Sequence, residues 1–264
     1  MRVMTIASGS SGNCIYVGND NTHILIDTGI SKKRVEEGLK KLDLQLSDIN
    51  AILVTHEHSD HIQGLGVVER KCNIPIYATW GTINGIKAAS SLGKMPEVYV
   101  PIDVDVPFTI DTLSVQAIRT SHDALSPCAY RITDGEKSFG LVTDLGYYDD
   151  YIVDSFRGCN CMVVESNHDL RMLETGPYPY MLKRRIMGRE GHLSNEDAGK
   201  FIDTLLGNHV EEVLLGHLSK ENNLPELAYN TVKLEIDMSE SEFAAKDFKI
   251  GIAKRDEPSH IITF

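Results

Sequence analysis

The feature that most constrains this chain is the motif His-Glu-His-Ser-Asp-His at residues 56–61, which lies just after the apolar segment 51–54. A short apolar run is typical of a buried strand, and a strand end is a rigid platform from which a loop can turn several side chains inward. The first two histidines can bind one divalent ion, and the Asp-His pair at the end of the motif can reach a second. Imidazole and carboxylate ligands suit Zn²⁺, Mn²⁺ or Fe. The motif therefore predicts a metal site with two ions rather than an ordinary polar turn.

Four ligands from one loop do not complete two metal sites, so other segments must contribute. His122, Asp144 and His217 each follow a segment with the apolar or alternating pattern of a strand. Taken singly, each could be an ordinary polar residue at the end of a strand. Together with the histidine motif, they predict further ligands on one shared rim.

The rest of the chain indicates the fold class. Predicted strands occur in both halves with helices between them, including a helix capped by Ser31, one over 83–92 and one capped by Ser194. The 264 residues contain no repeat at a fixed period and no low-complexity linker, and their apolar fraction of 42% can fill a sizeable core. We expect one domain over residues 1–264, built as two sheets with helices outside.

Composition excludes some classes of protein. No apolar run approaches the ~18–20 residues that span a bilayer, so we expect no membrane partner. The net charge of −12 argues against a surface that wraps nucleic acid, although bound divalent cations would dominate the field within their own cleft. Five scattered cysteines without a CxxC pair suit a reducing cytoplasm. Cys159 and Cys161 alternate before an apolar strand, which favours buried fillers over metal or redox ligands.

The order of these motifs resembles the metallo-β-lactamase superfamily, and the details resemble its YycJ/WalJ-type branch, which is related to tRNase Z and to PhnP-like phosphodiesterases. The first histidine motif is specific to the superfamily, whereas Glu-Ser-Asn-His-Asp at 165–169 and Gly-His-Leu-Ser-Asn at 191–195 narrow the branch. The resemblance covers most of the chain. Its other matching stretches are 8–13, 26–29, 55–64, 121–123, 143–146 and 215–219.

The resemblance implies an αββα sandwich of two mixed sheets flanked by helices, with the site along one edge. It also implies two divalent metal ions per chain, Zn²⁺ or Mn²⁺ with Fe possible, and a hydroxide that bridges them. Asp60 would in addition act in catalysis. The ligand set that it implies is His56, His58 and His122 for the first metal, Asp60, His61 and His217 for the second, and Asp144 as the bridge.

Two histidines, His192 and His217, both precede Leu-Ser, so the last ligand has to be chosen between them. His217 directly follows an apolar strand and therefore takes the ligand position. In the phosphodiesterase branch, a histidine at the place of His192, oriented by a glutamate at the place of Glu165, protonates the leaving oxygen or stabilises charge. A general acid assists phosphodiester cleavage because an alkoxide leaves poorly. Asp27 is interpreted as structural, closing the turn beneath the site, with a catalytic role as the alternative.

Candidate substrate contacts are less specific. The Gly- and Ser-rich segment 8–13 could bring backbone N–H groups to a phosphate, with Ser8, Ser10 and Asn13 as candidates, although any hairpin loop can look similar. His168 is a candidate at the mouth of the cleft, with a solvated loop histidine as the alternative.

Arg185 belongs to the basic cluster 183–185, which lies shortly before His192 and could contact a phosphate backbone. A solvated helix face is the default interpretation of the same cluster. Glu57 is expected to point away from the metals.

The predicted function is a dinuclear metal-dependent hydrolase, a phosphodiesterase or 5′-exonuclease-like nuclease that acts on DNA, RNA or a small phosphodiester. The alternative is a hydrolase of a small ester, thioester or lactam on the same metals, which would need neither His192 nor a basic rim. A non-catalytic metal sensor is disfavoured by the full ligand set. Residues 144–192 leave no room for the extra domain of a β-CASP nuclease.

Overall fold

Two seven-stranded mixed sheets form the centre of the computed structural model, which describes residues 1–89 and 98–264. In the first sheet the strands run in the order β14-β1-β2-β3-β4-β5-β6. Their bounds are β1 Arg2–Ala7, β2 Cys14–Gly18, β3 His23–Ile26, β4 Ala51–Leu53, β5 Ile76–Thr79, β6 Tyr99–Ile102 and β14 Ile262–Thr263. Strands β3 to β6 pair in parallel, and the others pair antiparallel.

The second sheet repeats this plan in the order β13-β12-β11-β10-β9-β8-β7. Its strands are β7 Phe108–Ile110, β8 Leu113–Arg119, β9 Cys128–Thr133, β10 Ser138–Val142, β11 Cys161–Glu165, β12 Glu212–Gly216 and β13 Lys249–Ile252. Strands β10 to β13 are parallel, whereas β7 to β10 are antiparallel neighbours. Because parallel strands carry their carboxyl ends to the same edge, several loops meet along one rim.

Helices cover the outer faces of the sheets. Their bounds are α1 Lys32–Lys40, α2 Ser59–Ile62, α3 Leu65–Cys72, α4 Trp80–Ala88, α5 Asp150–Phe156, α6 Leu170–Thr175, α7 Tyr180–Ile186, α8 Asn195–Leu205 and α9 Pro225–Asp237, with one 3₁₀ turn at Leu46–Asp48. None of the helices in the part of the chain that the structure describes is long and apolar enough to cross a membrane.

Three apolar layers hold the sandwich together. The middle layer lies between the sheets, with residues such as Leu53 from the first sheet and Leu141 from the second. One outer layer packs α1, α3 and α4 on the first sheet, and the other packs α5, α8 and α9 on the second. The hydrophobic stripe of each helix and one face of each sheet are thus buried, which is the physical basis of the layered fold.

The predicted fold class is confirmed: two mixed sheets lie between flanking helices. The Ser31 and Ser194 side chains accept hydrogen bonds from the backbone N–H groups of Arg34 and Asp197, as expected of N-caps. The helix predicted over 83–92 begins earlier, at Trp80, where Thr79 provides the cap. Its expected last residues, 90–92, lie outside the described residues.

Candidate metal centre and active site

The candidate ligands converge on the rim where the parallel strands end. The loop after β4 contributes the motif at 56–61, and the segments after β8, β10 and β12 contribute His122, Asp144 and His217. Glu165 is the last residue of β11, between the strands that lead to Asp144 and His217. Strand ends from both sheets therefore place these side chains around one centre.

At the same rim, the loops after β3, β10 and β12 each contain a residue other than glycine with a left-handed backbone. Asp27, Asp144 and His217 have φ values of 58°, 58° and 53°. Such conformations are uncommon for side-chain-bearing residues, and Asp and His tolerate them better than most. Gly29 lies nearby, where an added Cβ would be 1.6 Å from the carbonyl oxygen of Asp60. The turn after β3 can therefore pack against the loop that carries the motif at 56–61 only if residue 29 is glycine.

A first cluster consists of His56, His58 and His122, whose candidate ligand atoms all lie within 4.8 Å of one another. His122 directs Nδ1 to the carbonyl oxygen of Gly191 at 3.0 Å, which leaves Nε2 facing the cluster. That Nε2 lies 3.3 Å from Nδ1 of His58. Nε2 of His56 is buried without a hydrogen-bond partner among the described residues. A buried imidazole nitrogen left unpaired in this way fits a metal ligand.

A second cluster consists of Asp60, His61 and His217. The Nε2 atoms of both histidines lie 3.4 Å from Oδ2 of Asp60. Their Nδ1 atoms are held by buried carboxylates: His61 by Asp27 at 2.8 Å and His217 by Glu165 at 2.8 Å. Carboxylate–histidine pairs of this kind fix the tautomer and direct the other ring nitrogen to a metal.

Asp144 lies between the two clusters. Its Oδ2 is 3.4 Å from Nε2 of His61, and its Oδ1 is 3.7 Å from Nε2 of His122. Oδ2 is also buried without a hydrogen-bond partner in the ranges 1–89 and 98–264. Unpaired buried oxygens are costly unless a cation or donor approaches them, so this carboxylate fits a position shared by two cations.

The charges at the centre favour bound cations. Burial alone would lower the pKa of His61, but Asp60, Asp144 and Asp27 outweigh it and raise the pKa well above its usual range. The pKa of His217 is raised to about 10 in the same way, against burial, by Asp144 and its other carboxylate neighbours. His56 behaves oppositely, since burial and the surrounding histidines lower its pKa. The carboxylate-rich half of the centre attracts positive charge, which either protons or metal ions can supply.

Glu165 connects the second cluster to His192. Its Oε1 accepts hydrogen bonds from Nδ1 of both His192 and His217, each at 2.8 Å, and its Oε2 accepts from the backbone N–H groups of Leu145 and Leu193. Burial would raise the pKa of Glu165, but the two histidines hold it well below its usual value. A third set of possible ligand atoms within 4.8 Å of one another comes from Asp144, Glu165, His192 and His217. Because Oε1 already accepts two ring N–H bonds, we interpret that group as a hydrogen-bond network.

His192 faces the cleft beside both clusters. Its ring lies 5.1 Å from that of His122 and 5.3 Å from that of His217, centroid to centroid. With Nδ1 engaged by Glu165, Nε2 is the nitrogen left for a substrate, and 17% of the side chain is exposed. Gly191, directly before it, has no room for a Cβ, which would meet the carbonyl oxygen of Ile186 at 2.1 Å.

Four of the five candidate substrate residues separate into two groups. Ser10 and Arg185 line the cleft, which has a volume of about 340 Å³. Ser8 is buried instead, and its hydroxyl accepts the backbone N–H of His217 at 2.9 Å. Asn13 is buried as well and directs Nδ2 to Oδ2 of Asp60 at 3.3 Å. Ser8 and Asn13 therefore hold other residues of the centre rather than presenting free groups to a ligand.

His168, the fifth candidate, was expected either at the mouth of the cleft or in a solvated loop. The structure contradicts both expectations. His168 is 1% exposed, and its backbone pairs with the segment that begins α8 through the N–H of Asn195. Burial lowers the pKa of its ring to about 4. The sequence around His168 is polar and turn-like, which conceals that two neighbouring loops cover it.

The sequence interpretation missed the role of Asp27 as the partner of His61. Asp27 also accepts hydrogen bonds from the backbone N–H and the hydroxyl of Thr55, each at 2.9 Å, so it braces the loop that carries the motif. Asp123 was missed altogether. Its carboxylate lies 3.6 Å from Nε2 of His122 and pairs with Arg185. Its position directly after His122 is the only feature of the sequence that could have indicated a role for Asp123.

Two expectations of structural roles agree with the structure. Glu57 points away from the clusters, and its Oε1 accepts the backbone N–H of Leu125 at 2.7 Å. Cys159 and Cys161 are buried in two apolar layers, and burial raises the pKa of the Cys159 thiol to about 11.

Comparison with known proteins agrees with this architecture. The model of the β-lactamase superfamily domain matches residues 22–218. The chain is 40% identical to exodeoxyribonuclease YycJ of Bacillus anthracis over 229 residues, which cover 86% of each chain. It is 37% identical to exodeoxyribonuclease WalJ of Streptococcus pneumoniae over 248 residues, 94% of this chain and 90% of the relative. The metallo-β-lactamase-fold protein YhfI of Bacillus subtilis superposes with a TM-score of 0.70 at 17% identity, covering 98% of each chain.

Proposed function

Because the chain belongs to the β-lactamase superfamily and has the metallo-β-lactamase fold of its hydrolases, we propose that it is a metal-dependent exodeoxyribonuclease. Two relatives with 37–40% identity over most of the chain carry that name. The observation that carries the proposal is the pair of His192 and Glu165, because it places an oriented proton donor beside the metal ligands. Hydrolysis of a small thioester or lactam does not require such a donor.

We assign the metal ligands from the two clusters. His56, His58 and His122 would hold one divalent ion, Asp60, His61 and His217 a second, and Asp144 would be shared. The unpaired buried atoms of His56 and Asp144 support this assignment, since both need a cation to replace lost hydration. Imidazole and carboxylate donors fit Zn²⁺, Mn²⁺ or Fe. When bound, two such ions supply Lewis acidity towards a phosphate and lower the pKa of the attacking water.

The protein's own residues orient the groups that react. Asp27 and Glu165 hold Nδ1 of His61 and His217, so both rings keep the same tautomer throughout the reaction. Asp60 lines the cleft with 21% of its side chain exposed, and its Oδ2 accepts a hydrogen bond from Nδ2 of Asn13. In this proposal Asp60 acts both as a ligand and as the acceptor that orients the attacking water.

His192 completes the reaction. Its Nε2 faces the cleft, and Glu165 holds Nδ1, so the ring can deliver a proton from Nε2 to the departing 3′ or 5′ oxygen of the broken phosphodiester. General acid catalysis of this kind contributes typically 10²–10⁴-fold. Glu165 keeps the His192 ring oriented without itself leaving the buried network.

The proposed partner is DNA, and a reducing compartment such as the cytoplasm is the proposed location. All five cysteines are free thiols, and four of them are buried. Free, unpaired thiols suit a compartment that keeps cysteines reduced.

The test is a substrate panel with protein reconstituted with Zn²⁺ or Mn²⁺. We expect hydrolysis of bis-p-nitrophenyl phosphate and stepwise shortening of 3′-labelled DNA, slower shortening of RNA, and loss of all activity with a chelator. His192→Ala should keep two metals per chain and lose at least about 100-fold in kcat. Intact DNA alongside cleaved thioesters or lactams would mean that the substrate class is wrong. Loss of one metal in His192→Ala would mean that His192 is a ligand.

A further inference from the structure

Two arginines next to the cleft stack on exposed tyrosines. The guanidinium of Arg189 lies 3.8 Å from the centroid of the Tyr147 ring, and that of Arg184 lies 6.0 Å from the centroid of Tyr180. Tyr147 is 40% exposed and Tyr180 is 71% exposed, far more than a ring that serves the core. The two arginines line one depression, so the two rings are exposed on the same part of the surface, and exposed apolar surface gathered in one place marks an interaction site.

Neither arginine has a carboxylate partner in the part of the chain that the structure describes. Arg185, between them in sequence, is neutralised by Asp123. A guanidinium that stacks on a ring keeps its N–H donors free, and those donors match the geometry of a phosphate. In a chain with a net charge of −12, two unpaired arginines beside an active site mark a local surface for an anion.

This surface is continuous with the cleft. A depression of about 420 Å³ is lined by Arg184, Arg185 and Arg189, and Arg185 also lines the cleft. A second depression, of about 410 Å³, shares Ser121 and Glu190 with the first and is lined by Tyr147. Glu190 is the one carboxylate common to both, and it forms an ion pair with neither arginine.

We propose that Tyr147–Arg189 and Tyr180–Arg184, here called the two stacking pairs, bind unpaired nucleotides of a DNA single strand whose terminal phosphodiester lies at the metal centre. Each tyrosine provides a face on which a base stacks, and each arginine binds a neighbouring phosphate. Bases that are paired in a duplex cannot reach these rings, so the stacking pairs select single-stranded or frayed ends. This inference rests on the proposed nuclease function and extends it to the form of the substrate.

The experiment measures DNA binding with cleavage prevented by His192→Ala. In that background we compare Tyr147→Leu with Tyr180→Leu, and we combine Arg184→Gln with Arg189→Gln. The leucines keep apolar bulk but remove the stacking face. The matched control is Arg157→Gln, because Arg157 is an exposed arginine just before β11, at the opposite end of that strand from Glu165. Fluorescence anisotropy with labelled oligothymidylate and with a blunt duplex gives Kd between 50 and 200 mM salt.

Each tyrosine variant should raise Kd for the single strand roughly ten-fold and raise Kd for the blunt duplex less. Removing both arginines should flatten the plot of log Kd against log salt by about 1.4, since each phosphate contact of a single strand contributes about 0.7. Arg157→Gln should match its parent in both measurements. In the cleavage-competent protein, the loss in kcat/KM should be larger for an oligonucleotide than for bis-p-nitrophenyl phosphate.

Different failures have different meanings. If the protein with His192 intact cleaves DNA while all four substitutions in the His192→Ala background leave Kd and the salt slope unchanged, the inference is overturned and the nuclease function stands. If only the arginine substitutions weaken binding, the surface does not recognise unpaired bases, and the inference is also overturned. If the protein with His192 intact hydrolyses bis-p-nitrophenyl phosphate but neither binds nor cleaves DNA, the proposed function itself fails.

Discussion

Replacement of Glu165 by glutamine tests the centre most directly, because this carboxylate holds two histidines at once. Oε1 accepts Nδ1–H of His192 and His217, and Oε2 accepts the backbone N–H groups of Leu145 at 2.9 Å and Leu193 at 3.2 Å. A glutamine has one carbonyl oxygen and one NH₂ group. Whichever way its amide is turned, the NH₂ group faces two N–H donors, so two of the four hydrogen bonds are lost.

The structure sets the size of the effect. Glu165 is fully buried, so water cannot replace the lost acceptor. Each buried donor left unpaired costs about 1–3 kcal/mol, and two of them should lower the free energy of unfolding by roughly 2–6 kcal/mol. Where the amide turns its NH₂ to the histidines, His217 loses its carboxylate partner, and affinity for the second metal should fall about 10–100-fold. His192 loses its orientation in the same step, which should lower kcat at least about 100-fold.

The assay compares Glu165→Gln, His192→Ala and the double variant for metal content by mass spectrometry, kcat on bis-p-nitrophenyl phosphate and denaturant unfolding. Glu165→Gln should lose affinity for one metal, whereas His192→Ala should keep both. The double variant should be no slower than Glu165→Gln within a few-fold, because both substitutions disable the same proton donor. The matched control is Glu136→Gln. Glu136 lies in the exposed turn before β10, at the opposite end of that strand from Asp144.

The refuting result is clear. If Glu165→Gln kept both metals at parental affinity, lost less than about two-fold in kcat and unfolded at the parental denaturant concentration, this carboxylate would neither support His217 nor orient His192, because either orientation of the amide removes two buried hydrogen bonds. Intact metal binding with a large loss in kcat would assign Glu165 to His192 alone.

Two further predictions concern buried groups around the centre. Asp27→Asn should keep the left-handed backbone, which asparagine also tolerates. It should weaken binding of the second metal about 10–100-fold, because the Asp27 carboxylate holds Nδ1 of His61. Unchanged affinity in a chelator competition would contradict this role. His168 should make the protein less stable in acid: its pKa in the folded state is about 4 against about 6.5 unfolded, so the unfolded chain binds the extra proton first and stability falls as the pH drops through this window. The loss should be about 3 kcal/mol between pH 7 and 4, and urea unfolding of His168→Asn should show a shallower dependence on pH; identical slopes would refute the assignment.

Much of the candidate centre was readable from the sequence because metal ligands follow local rules. The motif at 56–61 combines ligand types and spacing within one loop, and His122, Asp144 and His217 each follow a strand-like pattern. Strand patterns depend only on neighbouring residues, so they can be recognised without knowledge of the fold. The same holds for the helix caps at Ser31 and Ser194, whose side chains accept hydrogen bonds from backbone N–H groups three residues later.

The hydrogen bonds that hold the candidate ligands from behind could not be predicted from the sequence, because they join residues far apart in the chain. Asp27 and His61 are 34 positions apart, and Glu165 and His217 are 52 positions apart. No local pattern distinguishes a carboxylate that meets a histidine across the fold from one that merely ends a strand. The same limit explains His168, whose polar surroundings indicate a surface loop although two loops bury it.

The sequence by itself thus determined the kind of chemistry this protein can hold, since residue type and spacing decide which ligands are available. Only the tertiary structure decided that Asp27 orients His61 and that Glu165 orients His217 as well as His192, and that His192 faces the cleft while His168 does not. It also brought Arg189 onto the exposed ring of Tyr147, 42 positions away in the chain, whereas Arg184 and Tyr180 are neighbours within helix α7. The physical reason is that the ends of parallel strands meet at one rim, where residues from distant segments become neighbours.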